Sequence, residues 1–492
     1  MTKTLQHYHD ACGRLAIDRS VGLDVPVAGL TNDSRLVKPG DLFVAIVGAS
    51  DDGRKYIADA VAQGACGVVH KADAALDLPV PSWRVSDDYM ALGRLAECHY
   101  DQPALKLRFA GITGTNGKTT TAFLLRDILR NAGQRTGLIG TVHYEIGERE
   151  ITADRTTPTP LELQALLAEM VAAGVGTVVM EVSSHALWQR RMGTLLFDAG
   201  VFTNLSLDHL DYHPTMDDYF ETKKRLFTEY MTDSGTPVIN IDDAWGRRLA
   251  DDLSGAVTFG TADAADCRVI EHTSTLRGSE VTYTWQGVTQ TMHSPLVGHF
   301  NVSNVMAATA TALALEIPAD RVTAAVEAFG GVPGRMQSLG GADEVNIIID
   351  YAHTDDALEN VLSAVKPLCE GRLIVVFGCG GDRDRSKRPR MAEAASRWSD
   401  LVVVTSDNPR SEDPQAVIGD ILPGLSPDVA FESIIDRRAA IAGAVSEAGP
   451  NDTIVIAGKG HEAYQEIGGE KHPFSDVEEA QNALAAWRTS KR

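Results

Sequence analysis

No run of about 18 apolar residues, the length a membrane-crossing helix needs, interrupts this sequence, so no membrane span is expected. Cysteine is scarce and scattered: Cys12, Cys66, Cys98, Cys267, Cys369 and Cys379 never form a Cys-x-x-Cys pair. That argues against a disulfide frame or a thiolate zinc site and for reduced thiols in a cytoplasm. The opening Met1-Thr-Lys-Thr-Leu-Gln-His-Tyr-His-Asp10 is polar and lacks the apolar stretch of a secretion signal. Positive charge is also short. Against 67 Asp and Glu stand 45 Lys and Arg, a formal charge of −22, and such a surface disfavours nucleic acid, whose binding depends on neutralising phosphates. At 492 residues the chain exceeds what one core can hold, and about two to four domains are expected.

What is present centres on Phe109-Ala-Gly-Ile-Thr-Gly-Thr-Asn-Gly-Lys-Thr119, an apolar run that enters a glycine-rich turn and continues as an amphipathic helix. Gly111, Gly114 and Gly117 are read as letting the backbone take positive φ and approach a ligand. The turn's N–H groups and the helix N-terminus form an anion site, with Lys118 as point charge and Thr119 as a hydroxyl ligand for Mg²⁺. Ile112 stands where a Walker A motif has its first glycine. The reading is a nucleoside triphosphate site.

Residues 1–88 read as a small N-terminal α/β module. Residues 89–336 alternate strands (107–112, 176–181, 199–203, 237–240) with helices (119–131, 160–173, 215–230, 302–315), the pattern of a P-loop domain with a doubly wound, mostly parallel sheet. Glu181 closes one of these strands, where an acid can hold Mg²⁺ directly or through water. The polar stretch Thr203–His213 follows another strand and suits metal, phosphate or substrate contacts. Lys223 and Lys224 on the next helix read as solvated lysines, and Asn301 or Ser303 as a cap for the helix that follows. Gly330–Arg335 is a glycine-rich hinge candidate. Residues 337–492 repeat the alternation as a C-terminal Rossmann-like α/β domain. Ligands of open α/β sheets sit outside the carboxyl ends of the strands, so Asp350, His353, 378–385, 407–410 and 458–462 should converge. Arg383 and Arg410 on these loops suit carboxylates.

Thr113–Thr119, Glu181-Val-Ser-Ser-His185, Thr203–His213, Asp350-Tyr-Ala-His353 and Gly458-Lys-Gly-His-Glu462, taken together, resemble the Mur ligase family. These are ATP-dependent amide-bond ligases of bacterial peptidoglycan synthesis. Asn32-Asp-Ser-Arg35, Gly40–Ala45 and Asp407-Asn-Pro-Arg410 are similar to the members that add meso-2,6-diaminopimelate as the third stem-peptide residue. The resemblance implies that ATP phosphorylates the D-glutamate γ-carboxylate of UDP-MurNAc-L-Ala-D-Glu and that the amino acid's amine displaces phosphate. It assigns ATP to Thr113, Gly114, Thr115, Asn116, Gly117, Lys118, Thr119, Asn301, Arg335, Asp350 and His353, and Mg²⁺ to Thr119, Glu181 and Lys223. The lysine is carbamylated by CO₂ in the family, while Lys224 stays a solvent lysine. Lys118, Lys223 and His209 take the catalytic roles. The UDP-substrate falls to Asn32, Ser34, Thr156, Thr157, Ser183, Gln189 and Arg191 in domains 1–88 and 89–336. The amino acid falls to Arg383, Asp407, Asn408, Pro409, Arg410, Gly458 and Glu462 in domain 337–492, with Arg410 on the distal carboxylate, Glu462 on the distal ammonium and Arg383 on the proximal carboxylate. The chain departs from the family pattern at Ala49-Ser50, Arg155 and Asp355-Asp356. A cytoplasmic monomer with small-molecule partners is implied. Two rival readings are the same fold acting on L-lysine or, like folylpolyglutamate synthase, on another substrate, and a P-loop switch that hydrolyses ATP without ligation.

Overall fold

The computed structural model describes residues 2–18, 22–48, 51–71, 76–209, 212–341 and 344–490; Ala49, Ser50, Leu210 and Asp211, which the motif reading touches, lie outside them. The chain divides into two compact units, one of residues 1–265 with 307–318 and one of 266–306 with 319–492.

In the first unit, the strands Gly29–Thr31, Asp41–Ala45, Gly67–His70 and Ser82–Arg84 pair in chain order as a four-stranded parallel sheet. The continuous burial of Asp41–Ala45 and Gly67–His70 marks strands covered on both faces. A second sheet runs in the spatial order Val257–Gly260, Met231–Asn240, Phe197–Phe202, Arg108–Thr113, Thr177–Glu181, Thr136–Ile139, His143–Ile146 and Arg149–Thr152. Its first six strands are parallel and its last two form an antiparallel edge. The doubly wound, mostly parallel sheet is therefore as expected. Arg108–Thr113 is central, and its neighbours are reached by crossovers to either side, so the sheet's topological switch point falls at the phosphate loop. Register brings Ile112 beside Glu181 and Thr113 beside Phe202, so three strand ends finish at one level. Gly111 is needed for packing rather than for its φ: a Cβ there would lie 2.6 Å from the Phe197 ring.

In the second unit, Asn346–Asp350, Thr453–Ala457, Leu373–Phe377, Leu401–Val404 and Ala430–Ser433 form the parallel part of a six-stranded sheet, with Gln337–Leu339 antiparallel at one edge. The antiparallel strands Cys267–Thr275, Gly278–Trp285 and Val288–Ser294 belong to this unit as well. The helix expected from 302 begins at His299, so Asn301 and Ser303 lie inside its first turns and are not caps. Within the hinge candidate Gly330–Arg335, Gly330 and Pro333 are exposed, whereas Val332 and Gly334 are buried. Gly334 has φ +64°, and a Cβ on it would sit 2.1 Å from His461 N.

A buried ion pair joins the starts of the helices Arg437–Glu447 and Asp476–Ser490 beside one of these strands. Arg437 and Asp476 are both fully buried and meet through Nε–Oδ1 and Nη2–Oδ2 bonds of 2.7 Å. Arg437 Nη2 also donates to Ala457 O at 3.0 Å. Removing one partner strands a charge without water, which costs about 3–5 kcal/mol. Asp476→Asn should therefore lower the denaturation midpoint of this unit by that equivalent, whereas the double variant Arg437→Met/Asp476→Leu should lose much less. Equal losses in the single and double variants would refute the ion-pair account.

Candidate active site

The phosphate loop leaves the strand end at Thr113 and enters the helix Lys118–Asn131. Gly114 and Gly117 take φ of +145° and +85°, which other residues resist. At Gly114 there is also no room, since a Cβ would lie 1.9 Å from Thr203 Oγ1. The loop is braced by the stretch after Phe202. Thr203 Oγ1 donates to Asn116 O at 2.6 Å, Asn116 N donates to Asn204 Oδ1 at 3.0 Å, and Ser206 N donates to Thr115 Oγ1 at 3.1 Å. Part of the Thr203–His213 polarity read as ligand chemistry thus shapes the loop backbone. Lys118 Nζ folds back on Gly114 O and Thr115 O at 3.0 and 2.8 Å.

Thr119 Oγ1 donates to Glu181 Oε2 at 3.0 Å, and Thr141 donates to the same carboxylate from N at 2.9 Å and from Oγ1 at 3.1 Å. Glu181 is fully buried. A buried carboxylate beside threonine hydroxyls is a hard oxygen set, which suits Mg²⁺. Gly140 makes room for it, because a Cβ there would sit 2.4 Å from Glu181 Oε1. Thr141 and Gly140 were missed in the sequence, where nothing in their own spacing marks them.

Lys223 reaches the loop from the helix Met216–Glu229. It is 1% exposed, donates to Gly114 O at 2.8 Å and lies 4.5 Å over the Tyr219 ring. Burial, then the Lys118 charge, holds its amine well below the ordinary lysine value, with Asp208 opposing. The solvated reading of Lys223 is thereby overturned. Lys224, expected in solvent, is instead paired with Asp252 at 2.7 Å and only 22% exposed. His209, at φ +54°, is partly exposed, with Nε2 3.4 Å from Asp208 Oδ2 and its ring 4.9 Å from that of His185.

In the second unit the three neighbouring strands Thr453–Ala457, Leu373–Phe377 and Leu401–Val404 deliver their loops to one place. Asn408 Nδ2 donates to Glu462 Oε2 at 2.8 Å. Arg410, at φ +52°, donates from Nη1 to Gly381 O at 2.7 Å and has Nε 3.5 Å from Glu466 Oε2. Gly381 lies under Pro409, whose carbonyl would be 1.9 Å from a Cβ there. Gly458, at φ +119°, faces Asp407 Oδ2. Arg383 is exposed, and its Nη1 reaches only Asp382 O at 3.4 Å. The expected convergence holds for Asp407, Asn408, Pro409, Arg410, Gly458 and Glu462, with Arg383 at the rim. Two residues that hold the loops together were missed. Arg388, fully buried, ties Glu412 and Asp420 to Gly380 O, and Lys459 sits buried between Asn408 and Glu462.

The chain matches the Mur ligase middle domain over residues 112–312, the Mur ligase glutamate ligase domain over 334–460 and the Mur ligase family catalytic domain over 26–96. A protein of Gloeobacter violaceus named UDP-N-acetylmuramoyl-L-alanyl-D-glutamate–2,6-diaminopimelate ligase is 46% identical, covering 98% of both chains. One of the same name from Aquifex aeolicus is 44% identical over 93% of this chain and 94% of its own. This chain belongs to the Mur ligase family. A solved structure carrying that same ligase name superposes with a TM-score of 0.72 at 34% identity, covering 99% of this chain and 100% of the other. Folylpolyglutamate synthase of Mycobacterium tuberculosis, at TM-score 0.60 and 20% identity, shares the fold alone. As a Mur ligase the chain is an ATP-dependent amide-bond ligase of three-domain α/β architecture.

The remaining expected residues of this Mur ligase fall into three groups. Thr156, Thr157, Ser183, Gln189 and Arg191 cluster beside Glu181. Thr157 Oγ1 donates to Glu181 O at 2.8 Å and accepts from Ser183 N at 3.1 Å, and Arg191 joins Thr157 O at 2.7 Å to Gln189 Oε1 at 2.8 Å. Thr156 Oγ1 lies 3.1 Å from Thr141 Oγ1. Asn32 and Ser34 lie on a surface turn of the N-terminal sheet, where Asp33 caps Ser34–Leu36. Asn301 is 2% exposed, its Nδ2 bonded to Val297 O and its Oδ1 to Asn304. Asp350 accepts from Met336 N and Ala352 N at 2.8 Å, and burial raises its carboxyl against the pull of Arg335. The Arg335 guanidinium lies 4.8 Å over the Tyr351 ring, and His353 is exposed beside it. No helix of the described residues is long and apolar enough to cross a membrane.

Proposed function

We propose that this Mur ligase joins an amine of meso-2,6-diaminopimelate to the D-glutamate γ-carboxylate of UDP-MurNAc-L-Ala-D-Glu, converting ATP to ADP and phosphate. The single observation that carries the amino-acid assignment is the meeting of three strand-end loops of one sheet, where Asn408 donates to Glu462 and Arg410 donates to Gly381 O. Cation and carboxylate stand there on neighbouring loops, as a zwitterionic side-chain terminus requires. The names carried by relatives that span nearly the whole chain agree.

The γ-carboxylate oxygen attacks the γ-phosphorus, the bond to the bridging oxygen breaks, and ADP leaves. The loop N–H groups of 114–119 and Lys118 hold the phosphates and stabilise the charge that spreads over the transferring group. To do so Lys118 would exchange the carbonyls of Gly114 and Thr115 for phosphate oxygens. The amine then adds to the acyl carbon, the tetrahedral intermediate loses phosphate, and the surplus amine proton passes to solvent or to the departing phosphate. His209, on the braced loop, is assigned to the charge on this intermediate. Thr119 and Glu181 would hold Mg²⁺, which supplies charge neutralisation at the phosphates. Lys223 joins that set as a carbamate, whose two oxygens replace one cation; its buried, depressed amine is the form that CO₂ requires.

Thr156, Thr157, Ser183, Gln189 and Arg191, with Asn32 and Ser34, are assigned to the UDP-substrate. Asn301, Arg335, Asp350 and His353 keep the adenosine and phosphate role of the family pattern, and the three domains are bounded at 88 and 336. The enzyme works as a cytoplasmic monomer on precursors. Incubation with ATP, the UDP-dipeptide and either diaminopimelate or L-lysine tests the reading: product mass should rise with diaminopimelate, with one phosphate per ligation. Phosphate release independent of both substrates would make the chain an ATPase switch, and ligation of lysine alone would overturn the role of Arg410.

A further inference from the structure

Lys459 has no task in the reaction just described, yet it is a fully enclosed charge of the amino-acid pocket. Its side chain is 0% exposed, although lysines are almost never fully buried unless paired. It follows the strand Thr453–Ala457. Its Nζ lies 2.9 Å from Asn408 Oδ1, 3.1 Å from Glu462 Oε2 and 3.6 Å from Asp407 Oδ1. The ammonium fixes the Asn408 amide, because only the oxygen can face it. The amide nitrogen is thereby turned onto Glu462 at 2.8 Å, and the same oxygen accepts Glu466 N at 2.9 Å.

The charges in this cluster do not cancel. Arg437 is spent on Asp476 through two 2.7 Å bonds. With Arg437 and Asp476 cancelling, Lys459 is set against the two carboxylates of Asp407 and Glu462, leaving an excess of one negative charge. Asp407 is 6% exposed, and its Oδ1 has no hydrogen-bond partner. A buried acceptor without a donor is costly, and a ligand ammonium would satisfy it. Arg410 stands nearby, 3.5 Å from the partly exposed carboxylate of Glu466, as the cation for a ligand carboxylate.

We propose that Lys459 is a positioning residue that sets this pocket's charge to accept one further ammonium and no more. With that ammonium place filled and Arg410 left for a ligand carboxylate, it thereby favours an amino acid whose side chain ends in a zwitterion over one that ends in an ammonium alone. The inference rests on the diaminopimelate reading above and adds to it a determinant that touches the ligand only through Asn408, Asp407 and Glu462. Without Lys459 the cluster carries two uncompensated carboxylates. A tail that is purely cationic, such as that of L-lysine, then gains relative to a zwitterion.

The test is the ratio of kcat/KM for meso-diaminopimelate to that for L-lysine in wild type, Lys459→Met and Lys459→Arg. In Lys459→Met the ratio should fall at least tenfold, through KM for the amino acid, with kcat changed less than threefold and KM for ATP unmoved. Lys459→Arg, which keeps the charge, should hold the ratio within threefold of wild type. An unchanged ratio in Lys459→Met, or an equal fall in Lys459→Arg, overturns the proposal. If thermal melts show that neither variant folds, binding to the wild-type enzyme decides. L-Lysine and 2-aminopimelate, whose tails carry only the cation or only the anion, should each bind at least tenfold more weakly than meso-diaminopimelate, and equal binding of L-lysine overturns the charge count. A wild-type enzyme that ligates no diaminopimelate refutes the proposed function itself, whereas one that ligates it with an unmoved ratio refutes only the role of Lys459.

Discussion

Lys118→Ala is expected to cut kcat for ligation by about 10³-fold or more, the scale on which phosphoryl-transfer sites depend on a single cation. Lys118 is the first residue of the helix that the loop feeds, and its ammonium is held by Gly114 O and Thr115 O. Those carbonyls are weak anchors compared with phosphate oxygens, so the side chain can exchange one set for the other without moving the backbone. Alanine leaves the loop N–H groups and the Thr203, Asn204 and Ser206 bracing intact. Binding of the UDP-dipeptide, followed by calorimetry, should therefore change less than about twofold while phosphate release in the full reaction collapses. Full activity in the variant would refute the assignment of the loop.

That separation is credible because the loop's shape is determined elsewhere in the chain, and this marks the limit of what the sequence disclosed. The parallel strands are continuous apolar runs between turn signals, so the strands expected at 176–181 and 199–203 appear as Thr177–Glu181 and Phe197–Phe202. The rule that ligands gather at strand carboxyl ends then put Asp407–Arg410 and Gly458–Glu462 together correctly. The reason for a residue was harder to read than its place. Gly111 looked like part of the phosphate cradle, whereas Phe197, far along the chain, is what forbids a side chain there. Thr203 and Asn204 looked like ligands and are structural donors and acceptors for Asn116.

Charged residues were hidden for a related reason. Lysine is solvated by default, and contacts distant in sequence, with Gly114 for Lys223 and with Asn408 for Lys459, help to enclose these two. The strands His143–Ile146 and Arg149–Thr152 carry a visible alternation around Gly147, but an antiparallel edge is not expected in a parallel pattern and went unread. Glu145 in that hairpin is buried against Arg126, Arg130 and His143, and its carboxyl is held at about 2. Its place beside His143 and Glu150 resembles a metal set, but two arginines already occupy the carboxylate.

Lys223 carries the second large expectation, and there stability and activity should move in opposite directions. Its amine is 1% exposed, anchored on a carbonyl and not a carboxylate, and held well below the ordinary lysine value by burial and by Lys118. A depressed value in the folded state means that unfolding takes up a proton anywhere between the folded and ordinary lysine values. Stability conferred through this group therefore rises with pH across that window and is lost as pH falls through it. Lys223→Met removes the buried amine, so in CO₂-free buffer the variant should be more stable than wild type at pH 7 and its denaturation midpoint should depend less on pH between 7 and 9. Its kcat should nevertheless fall by about 10²–10³-fold, because the negative oxygens proposed beside Thr119 and Glu181 are gone. Lys223→Ala leaves space for a small anion, and acetate or formate should restore part of its rate, whereas methylammonium should not. A variant that keeps more than a tenth of wild-type kcat, or that methylammonium rescues in place of acetate, would show that Lys223 acts as a cation and that the carbamate plays no part.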